Sequence, residues 1–164
     1  MSPMLTGYIL TYGYLAIFGL VLLQELGMPG LPNELVLFYF GFISHQFHLN
    51  FPVVISLVVL ADITGSFVLY LLFYHGKLWL ARIKPKWLRI PVHKINSLKQ
   101  KMAAHDGRNI FVAKLTPFVR SYIPVVAGLM QVQPVLYGRI VFFTAIIWSG
   151  GWVTVGWLLQ GKFY

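Results

Sequence analysis

The stretch Lys114-Leu-Thr-Pro-Phe-Val-Arg-Ser-Tyr-Ile-Pro124 decides the fold of this chain. It carries two prolines and two cations, and it lies inside an apolar region over residues 110–130. Proline removes a backbone donor and clashes with the preceding turn, and a charge at bilayer depth is costly. A straight spanning helix is therefore disfavoured. The pattern predicts a broken, re-entrant segment with its tip between Pro117 and Pro124.

A second interrupted stretch, Glu25-Leu-Gly-Met-Pro-Gly-Leu-Pro-Asn-Glu34, lies nearer the start of the chain. Its prolines, Pro29 and Pro32, separate an apolar run over residues 4–24 from an apolar segment over residues 35–44. At about 1.5 Å per residue, the first run is long enough to cross a hydrocarbon core of about 30 Å, whereas about ten residues are too few. We therefore predict a second broken hairpin, with its tip near Pro29 and Pro32.

Two uninterrupted apolar runs complete the pattern. Residues 53–74 carry one acid, Asp62, near their middle, and residues 139–160 carry no acid. The composition is 58% hydrophobic and 10% charged, whereas soluble domains carry about 25% charged residues. The predicted fold class is therefore an all-α integral membrane protein, a polytopic helical bundle with two opposed re-entrant hairpins. The absence of cysteine excludes disulfides and thiolate chemistry.

The positive charge is concentrated in one segment. The formal net charge is +9, and nine of the thirteen Lys and Arg residues lie within residues 75–108. This distribution is typical of a juxtamembrane segment that faces anionic lipid headgroups, and it argues against a nucleic-acid partner. Apolar residues recur there at helical spacing beside lysines, which predicts a short surface helix over residues 92–105. The positive-inside bias places the segment in the cytoplasm.

The chain reads as a single transmembrane domain, residues 1–164, built from two halves. We predict a first half over residues 1–74, a basic cytoplasmic linker over residues 75–108 and a second half over residues 109–164. With the linker in the cytoplasm, the two hairpins open from opposite sides, so the halves are related by inversion, as in many secondary transporters. The halves share a glycine pattern. Gly41, Gly65 and Gly76 are separated by 24 and 11 residues, and their counterparts Gly128, Gly150 and Gly161 by 22 and 11.

Charged side chains fall in or against the apolar segments at five positions: Glu25, Glu34, Asp62, Lys114 and Arg120. An ionised residue at the bilayer centre costs roughly 2.5–3.5 kcal/mol, so these groups need pairing or a function. Three other interpretations stay open. The glutamates could be interfacial loop residues, the aspartate could join helices by hydrogen bonds, and the lysine could reach the headgroups along its own stem. The arginine lies between Pro117 and Pro124, which places it at a hairpin tip.

The five groups suggest a chemistry. A guanidinium beside the freed amides of a broken helix is a bidentate receptor for phosphate, and the start of a half-helix adds a favourable dipole. Carboxylates in a half-wet cavity can exchange protons with water. The five histidines have no metal-ligand spacing, and the chain lacks a phosphate-binding glycine loop, a Ser-His-Asp order and an HExxH motif. We therefore predict no enzymatic activity, no metal and no cofactor.

The order of these motifs resembles the DedA family of membrane proteins, which is related to the eukaryotic VTT-domain scramblases. The resemblance implies a bacterial inner-membrane protein with two opposed re-entrant hairpins, of a kind implicated in translocating undecaprenyl phosphate or phosphatidylethanolamine. It runs from about residue 8 to residue 161. The positions that carry it are Glu25, Pro29, Pro32 to Glu34, Asp62, Gly65, Tyr74 to Lys77, Lys114 to Arg120, Pro124, Ala127, Gly128, Trp148 and Gly156.

The resemblance also implies roles for individual residues. Glu25 and Glu34 match the family's acidic hairpin, Asp62 is a plausible third acid, and Arg120 matches the arginine of the second hairpin. The family commonly has arginine where this chain has Lys114, and lysine is a point charge without a planar fork. This departure increases the weight given to a less strongly anionic headgroup, such as phosphatidylethanolamine.

From residues and resemblance together we predict a membrane lipid transporter that moves a phosphate-bearing lipid between leaflets, coupled to a proton or cation gradient. Arg120 and Lys114 are the predicted phosphate-binding residues, and Glu34, Glu25 and Asp62 the proton-coupling or charge-pairing residues. Two rival functions stay open: a proton or small-ion transporter in which the carboxylates form the whole site, and a membrane scaffold whose basic linker recruits partners. A homo-oligomer also stays open.

Overall fold

The computed structural model describes residues 3–26, 32–47, 49–76, 92–102, 107–117 and 119–162. Regular structure within these ranges is entirely helical. Pro29 and most of the basic linker lie outside the described residues. The elements are α1 Pro3–Glu25, α2 Asn33–Gln46, α3 Phe51–His75, α4 Val92–Met102, α5 Gly107–Lys114, a 3-10 turn Arg120–Tyr122, α6 Ile123–Leu129, α7 Pro134–Ala145, a π-helical segment Ile146–Gly150 and α8 Gly151–Gln160.

Most element boundaries agree with the sequence pattern, and one does not. The predicted apolar run over residues 139–160 begins earlier, because Pro134 occupies the first turn of α7, where a fixed φ and a missing N–H are tolerated. Arg139 lies on an exposed face of that helix and does not end it. The run also contains the π-helical segment, which the hydrophobic pattern does not predict.

The interrupted stretch between Lys114 and Pro124 is broken, as predicted. Helix α5 ends at Lys114, and Pro117 lies exposed in the turn that follows. The chain then forms the 3-10 turn at Arg120, and α6 begins with buried Pro124 in its first turn. The first turn of a helix is the place where proline costs least, so the second break coincides with a helix start.

Among the described residues, two helices are long and apolar enough to cross a membrane: α3, with 25 residues, and the continuous helix from Pro134 to Gln160, with 27. We refer to the second as the long C-terminal helix. Both leave large apolar side chains on the outside, including Leu60, Phe143 and Ile147. Two acids and two bases, by contrast, are buried inside: Glu25, Asp62, Lys114 and Arg120. This arrangement suits a hydrocarbon surrounding, because lipid solvates apolar faces and penalises exposed charge.

The two long helices cross with their chains running in opposite directions. Ser149 of the long C-terminal helix hydrogen-bonds Asp62 near the middle of α3. Further along α3, the ring of Tyr70 stacks on that of Tyr137, with the ring centroids 4.3 Å apart. The Tyr70 hydroxyl donates to the carbonyl of Val132, which fixes the turn before α7. The contact between the helix centres therefore lies at Asp62.

Helix α1 lies beside α3, and helix α5 lies beside α7. The Tyr14 hydroxyl of α1 accepts from the Asn50 amide at the start of α3, and Glu25 at the end of α1 packs on Gly65. The chains of α1 and α3 therefore run in the same direction. In the second half, Gly107 at the start of α5 faces Leu136 of α7.

Helices α2 and α6 each pack on the long helix from the other half of the chain. Helix α2 crosses α8 with Gly41 against the Val153 carbonyl, and helix α6 crosses α3 with Gly128 against the Tyr70 carbonyl. A side chain at either glycine would occupy the space of the facing backbone. Glycine is required at these crossings because only a residue without Cβ lets two helix backbones approach so closely.

Candidate functional site

Four charged side chains that are far apart in sequence meet inside the bundle. Their exposed fractions are 3% for Glu25, 0% for Asp62, 1% for Lys114 and 2% for Arg120. Two acids and two bases give the group a formal charge of zero. Burial of this kind is tolerated only when the charges are paired and hydrogen-bonded. We call these four residues the charged quartet.

Arg120 joins the two acids. Its Nη2 atom donates to Glu25 Oε1 at 2.7 Å and to Asp62 Oδ2 at 2.8 Å. The 3-10 turn after the Pro117 break directs the arginine inward, where a continued α5 would place it on another face. One guanidinium nitrogen therefore bridges carboxylates from two different helices.

Lys114 is held more loosely, through a serine. Its Nζ donates to Ser66 Oγ at 2.8 Å, whereas the nearest oxygens of Glu25 and Asp62 are 3.9 and 3.8 Å away. Ser66 Oγ lies 2.9 Å from Glu25 Oε2 and 3.3 Å from Asp62 Oδ1. A hydroxyl has one proton to donate, so the shorter contact, to Glu25, is the stronger hydrogen bond. Ser66 therefore links the lysine to the acids.

Three more side chains complete the surroundings of the quartet. Ser149, in the π-helical segment, donates to Asp62 Oδ2. Asn33, in the first turn of α2, donates through Nδ2 to Glu25 Oε1 at 2.8 Å, the same oxygen that Arg120 contacts. The ring of Trp148 lies over Arg120, with its centroid 5.3 Å from Cζ, which is within the range of a cation–π contact.

Several buried donors around Arg120 have no hydrogen-bond partner among the described residues. They are Nε and Nη1 of Arg120 and Nε1 of Trp148. A guanidinium carries five N–H groups, and the two carboxylates use those on Nη2 alone. Buried donors in native proteins are nearly always paired, so the unpaired side of Arg120 is the part of the site most suited to an anionic ligand.

The predicted site residues are placed as follows. Glu25, Asp62, Lys114 and Arg120 are brought together, whereas no described residue hydrogen-bonds or ion-pairs with half-buried Glu34. Glu34 lies in the first turn of α2, beside Asn33. Of the four predicted breaks, Pro32 precedes α2 as its exposed N-cap residue, and Pro117 and Pro124 flank Arg120. Pro29 is outside the described residues.

Four residues of the site were not predicted from the sequence: Ser66, Ser149, Asn33 and Trp148. A signal existed for Ser66, which follows Asp62 by four positions and so lies on the same face of α3. None existed for Ser149, whose direction depends on the unpredicted π-helical turn. In the described part of the chain, no three His, Asp or Glu residues are grouped as metal ligands would be.

A helical bundle with an apolar exterior, two described helices long enough to span and a buried charged quartet is typical of a polytopic membrane protein. The family model of the VTT domain matches residues 31–158. The chain therefore belongs to the VTT-domain family, and the resemblance to DedA proteins is confirmed.

Curated relatives cover most of the chain. It is 25% identical over 171 residues to undecaprenyl phosphate transporter A of Staphylococcus aureus, which covers 99% of this chain and 82% of that protein. It is 22% identical to the uncharacterized membrane protein YbfM of Bacillus subtilis, over 88% of this chain and 89% of that protein. No solved structure matches the chain. The family and the transporter name agree with the prediction of a non-enzymatic membrane protein.

Proposed function

We propose that this protein moves a phosphate-bearing lipid, undecaprenyl phosphate or phosphatidylethanolamine, between the leaflets of a bacterial inner membrane. The observation that carries the proposal is the guanidinium of Arg120, which is buried, shares one nitrogen between two acids and keeps its remaining donors unpaired among the described residues. The relative named for undecaprenyl phosphate transport supports the same lipid class.

The quartet supplies a mechanism of exchange. Without lipid, Glu25 and Asp62 balance the charge of Arg120 and Lys114. A phosphate that approaches the unpaired side of Arg120 gains charge-assisted hydrogen bonds and competes with the carboxylates for the cations. Lys114, held 3.8 to 3.9 Å from the acids, can follow the phosphate at little cost. The lipid phosphate therefore takes the place of the two carboxylates as the partner of Arg120 and Lys114.

We propose that the acids couple transport to a proton or cation gradient, and that Glu34 is the most important of them. Glu34 lies at the start of α2, next to Asn33, which contacts Glu25. Unlike Glu25 and Asp62, it is not tied to a cation among the described residues and is half-buried, so water and ions can reach it more readily. A change in the charge of Glu34 alters the electrostatic field at the start of α2 and at the two cations, Arg120 and Lys114.

The architecture that we propose for this activity is a pair of re-entrant hairpins in an inverted repeat, with halves over residues 1–74 and 109–164 and a basic cytoplasmic linker over residues 75–108. Two sets of contacts support it. The long helices cross in opposite directions near Asp62 and Ser149. The arms after the breaks, α2 and α6, each pack on the long helix of the other half through Gly41 and Gly128, which are corresponding glycines of the two halves.

The activity is tested in proteoliposomes in which labelled lipids of one headgroup are placed in one leaflet and their appearance in the other is followed. Arg120→Ala should abolish movement of phosphate-bearing lipids, and Arg120→Lys should retain part of it, because a point charge replaces the fork. Arg139→Ala is the matched control, since Arg139 is exposed on α7. Full transport by Arg120→Ala would refute the phosphate site. Ion currents without lipid movement would favour the small-ion transporter, and neither activity would favour the scaffold.

The topology is tested with single cysteines, because the chain has no cysteine of its own. Asn109 and Gln133, both exposed, flank the second broken segment. If the segment is re-entrant, Asn109→Cys and Gln133→Cys react with a membrane-impermeant maleimide from the same side. Labelling from opposite sides would show that the segment spans the membrane and would refute the inverted repeat.

A further inference from the structure

Trp148 combines two features that packing alone does not explain. Its ring lies over the guanidinium of Arg120, and its indole N–H is buried without a partner among the described residues. A buried indole N–H usually finds an acceptor. The other unpaired N–H donors at this place belong to Arg120 itself, and the ring contact puts them beside the indole of Trp148. The Oδ1 atom of Asn33, on the Glu25 side of the quartet, is an acceptor that is likewise unpaired among the described residues.

We propose that Trp148 is a headgroup-binding residue of this site, with its indole N–H donating to an oxygen of the phosphate that Arg120 holds. The inference rests on the proposed function, because it assigns a further contact to the same lipid. The geometry suits a phosphate. With Arg120 Cζ over the ring, Nε and Nη1 of the guanidinium stay unpaired among the described residues, and phosphate oxygens accept from N–H groups of this kind.

The π-helical segment accounts for the position of Trp148. It spans Ile146–Gly150 and presents two consecutive side chains to the quartet, Trp148 to Arg120 and Ser149 to Asp62. In a regular α-helix, consecutive side chains point in clearly different directions, whereas a π-helical turn is wider and is frequent at functional sites. The segment thus contacts one acid and one base of the quartet at the same time.

The test compares Trp148→Phe with Trp152→Phe. Phenylalanine keeps an aromatic ring over Arg120 but has no N–H, so it separates packing from donation. Trp152 is a matched control: it lies on the same long helix and contacts the Trp148 ring edge-on at 6.2 Å. The loss of one hydrogen bond to a charged group corresponds to about tenfold weaker binding or more. Trp148→Phe should therefore need about ten times the lipid mole fraction for half-maximal transport, with a maximal rate close to that of the wild type.

A second readout observes the N–H directly. In the ¹⁵N-labelled full-length protein in micelles, each of the five tryptophans gives an indole N–H resonance, assigned from Trp→Phe variants. Octyl phosphate should move the Trp148 resonance downfield, and octanol should not. A structural role for the ring would leave the resonance unmoved by either probe.

The outcomes distinguish this inference from the function on which it rests. Equal lipid dependence in Trp148→Phe and Trp152→Phe, with an unmoved resonance, would overturn the role of Trp148 while Arg120→Ala stays inactive. Full transport by Arg120→Ala would overturn the phosphate site itself. A shifted resonance together with a weakened Trp148→Phe variant would establish the contact.

Discussion

Charge balance in the quartet predicts that two damaging substitutions will partly cancel. Arg120→Gln leaves Glu25, Asp62 and Lys114, so one negative charge is buried without a partner. Removing one member of a buried ionic group costs about 3–5 kcal/mol. Arg120 makes its two short contacts, at 2.7 and 2.8 Å, with both acids, which places it at the upper end of that range. Glu25→Gln in the same chain removes one negative charge and restores neutrality.

The double variant Glu25→Gln/Arg120→Gln should therefore be more stable than Arg120→Gln alone, by about 2 kcal/mol. The assay is equilibrium unfolding by SDS in mixed micelles, followed by circular dichroism, on the wild type, both single variants and the double variant. Pairing Glu25→Gln with Arg139→Gln is the control, because Arg139 is outside the quartet and the two effects should add. If the double variant loses the sum of the single losses, to within about 0.5 kcal/mol, the charge-balance argument is wrong. Transport should stay absent in the double variant, since Arg120 is gone.

Three further predictions follow from other contacts. Glu34→Gln should still move lipid, but its rate should cease to follow an imposed pH gradient; an unchanged slope would remove Glu34 from coupling. Gly128→Ala should cost about 1–3 kcal/mol of stability in SDS unfolding, because its methyl group would lie 2.6 Å from the Tyr70 carbonyl oxygen, whereas Gly19→Ala, with nothing within 4 Å, should not destabilise the protein. Ser66→Ala should weaken transport at low lipid content more than Thr64→Ala, because Ser66 links Lys114 to Glu25, whereas exposed Thr64 donates to the Leu60 carbonyl of its own helix.

Much of the fold could be predicted from local chemistry. Prolines at positions 117 and 124 end and start helices in any context, so the break before Arg120 could be read from the sequence. Apolar runs of spanning length, each with a single charged residue, indicated α3 and the long C-terminal helix. The start at Pro134 was missed because hydropathy alone marks Arg139 as the edge of the apolar run, whereas an exposed charge does not end a helix.

The partners within the site could be predicted only in part. Acids and bases in apolar segments must meet, which identified Glu25, Asp62, Lys114 and Arg120. Sequence does not say which acid faces which base, because that depends on how the helices are rotated. Glu34 for this reason makes no ion pair with a described residue, although it was predicted together with the other acids. Ser149 could not be found, since a π-helical turn changes the direction of every following side chain and leaves no mark in hydrophobic periodicity.

The separation in sequence between the acids and the bases of the quartet has a consequence for biosynthesis. Arg120 pairs with Glu25 across 95 positions and with Asp62 across 58. At about 5–20 residues per second, a ribosome needs about 3–12 s to proceed from Asp62 to Arg120. For those seconds the two acids of the quartet are in the first half without Lys114 and Arg120, the cations that they pair with. Nascent chains halted before Lys114 should therefore remain in contact with the insertion machinery, and release into lipid should coincide with the emergence of the second broken segment.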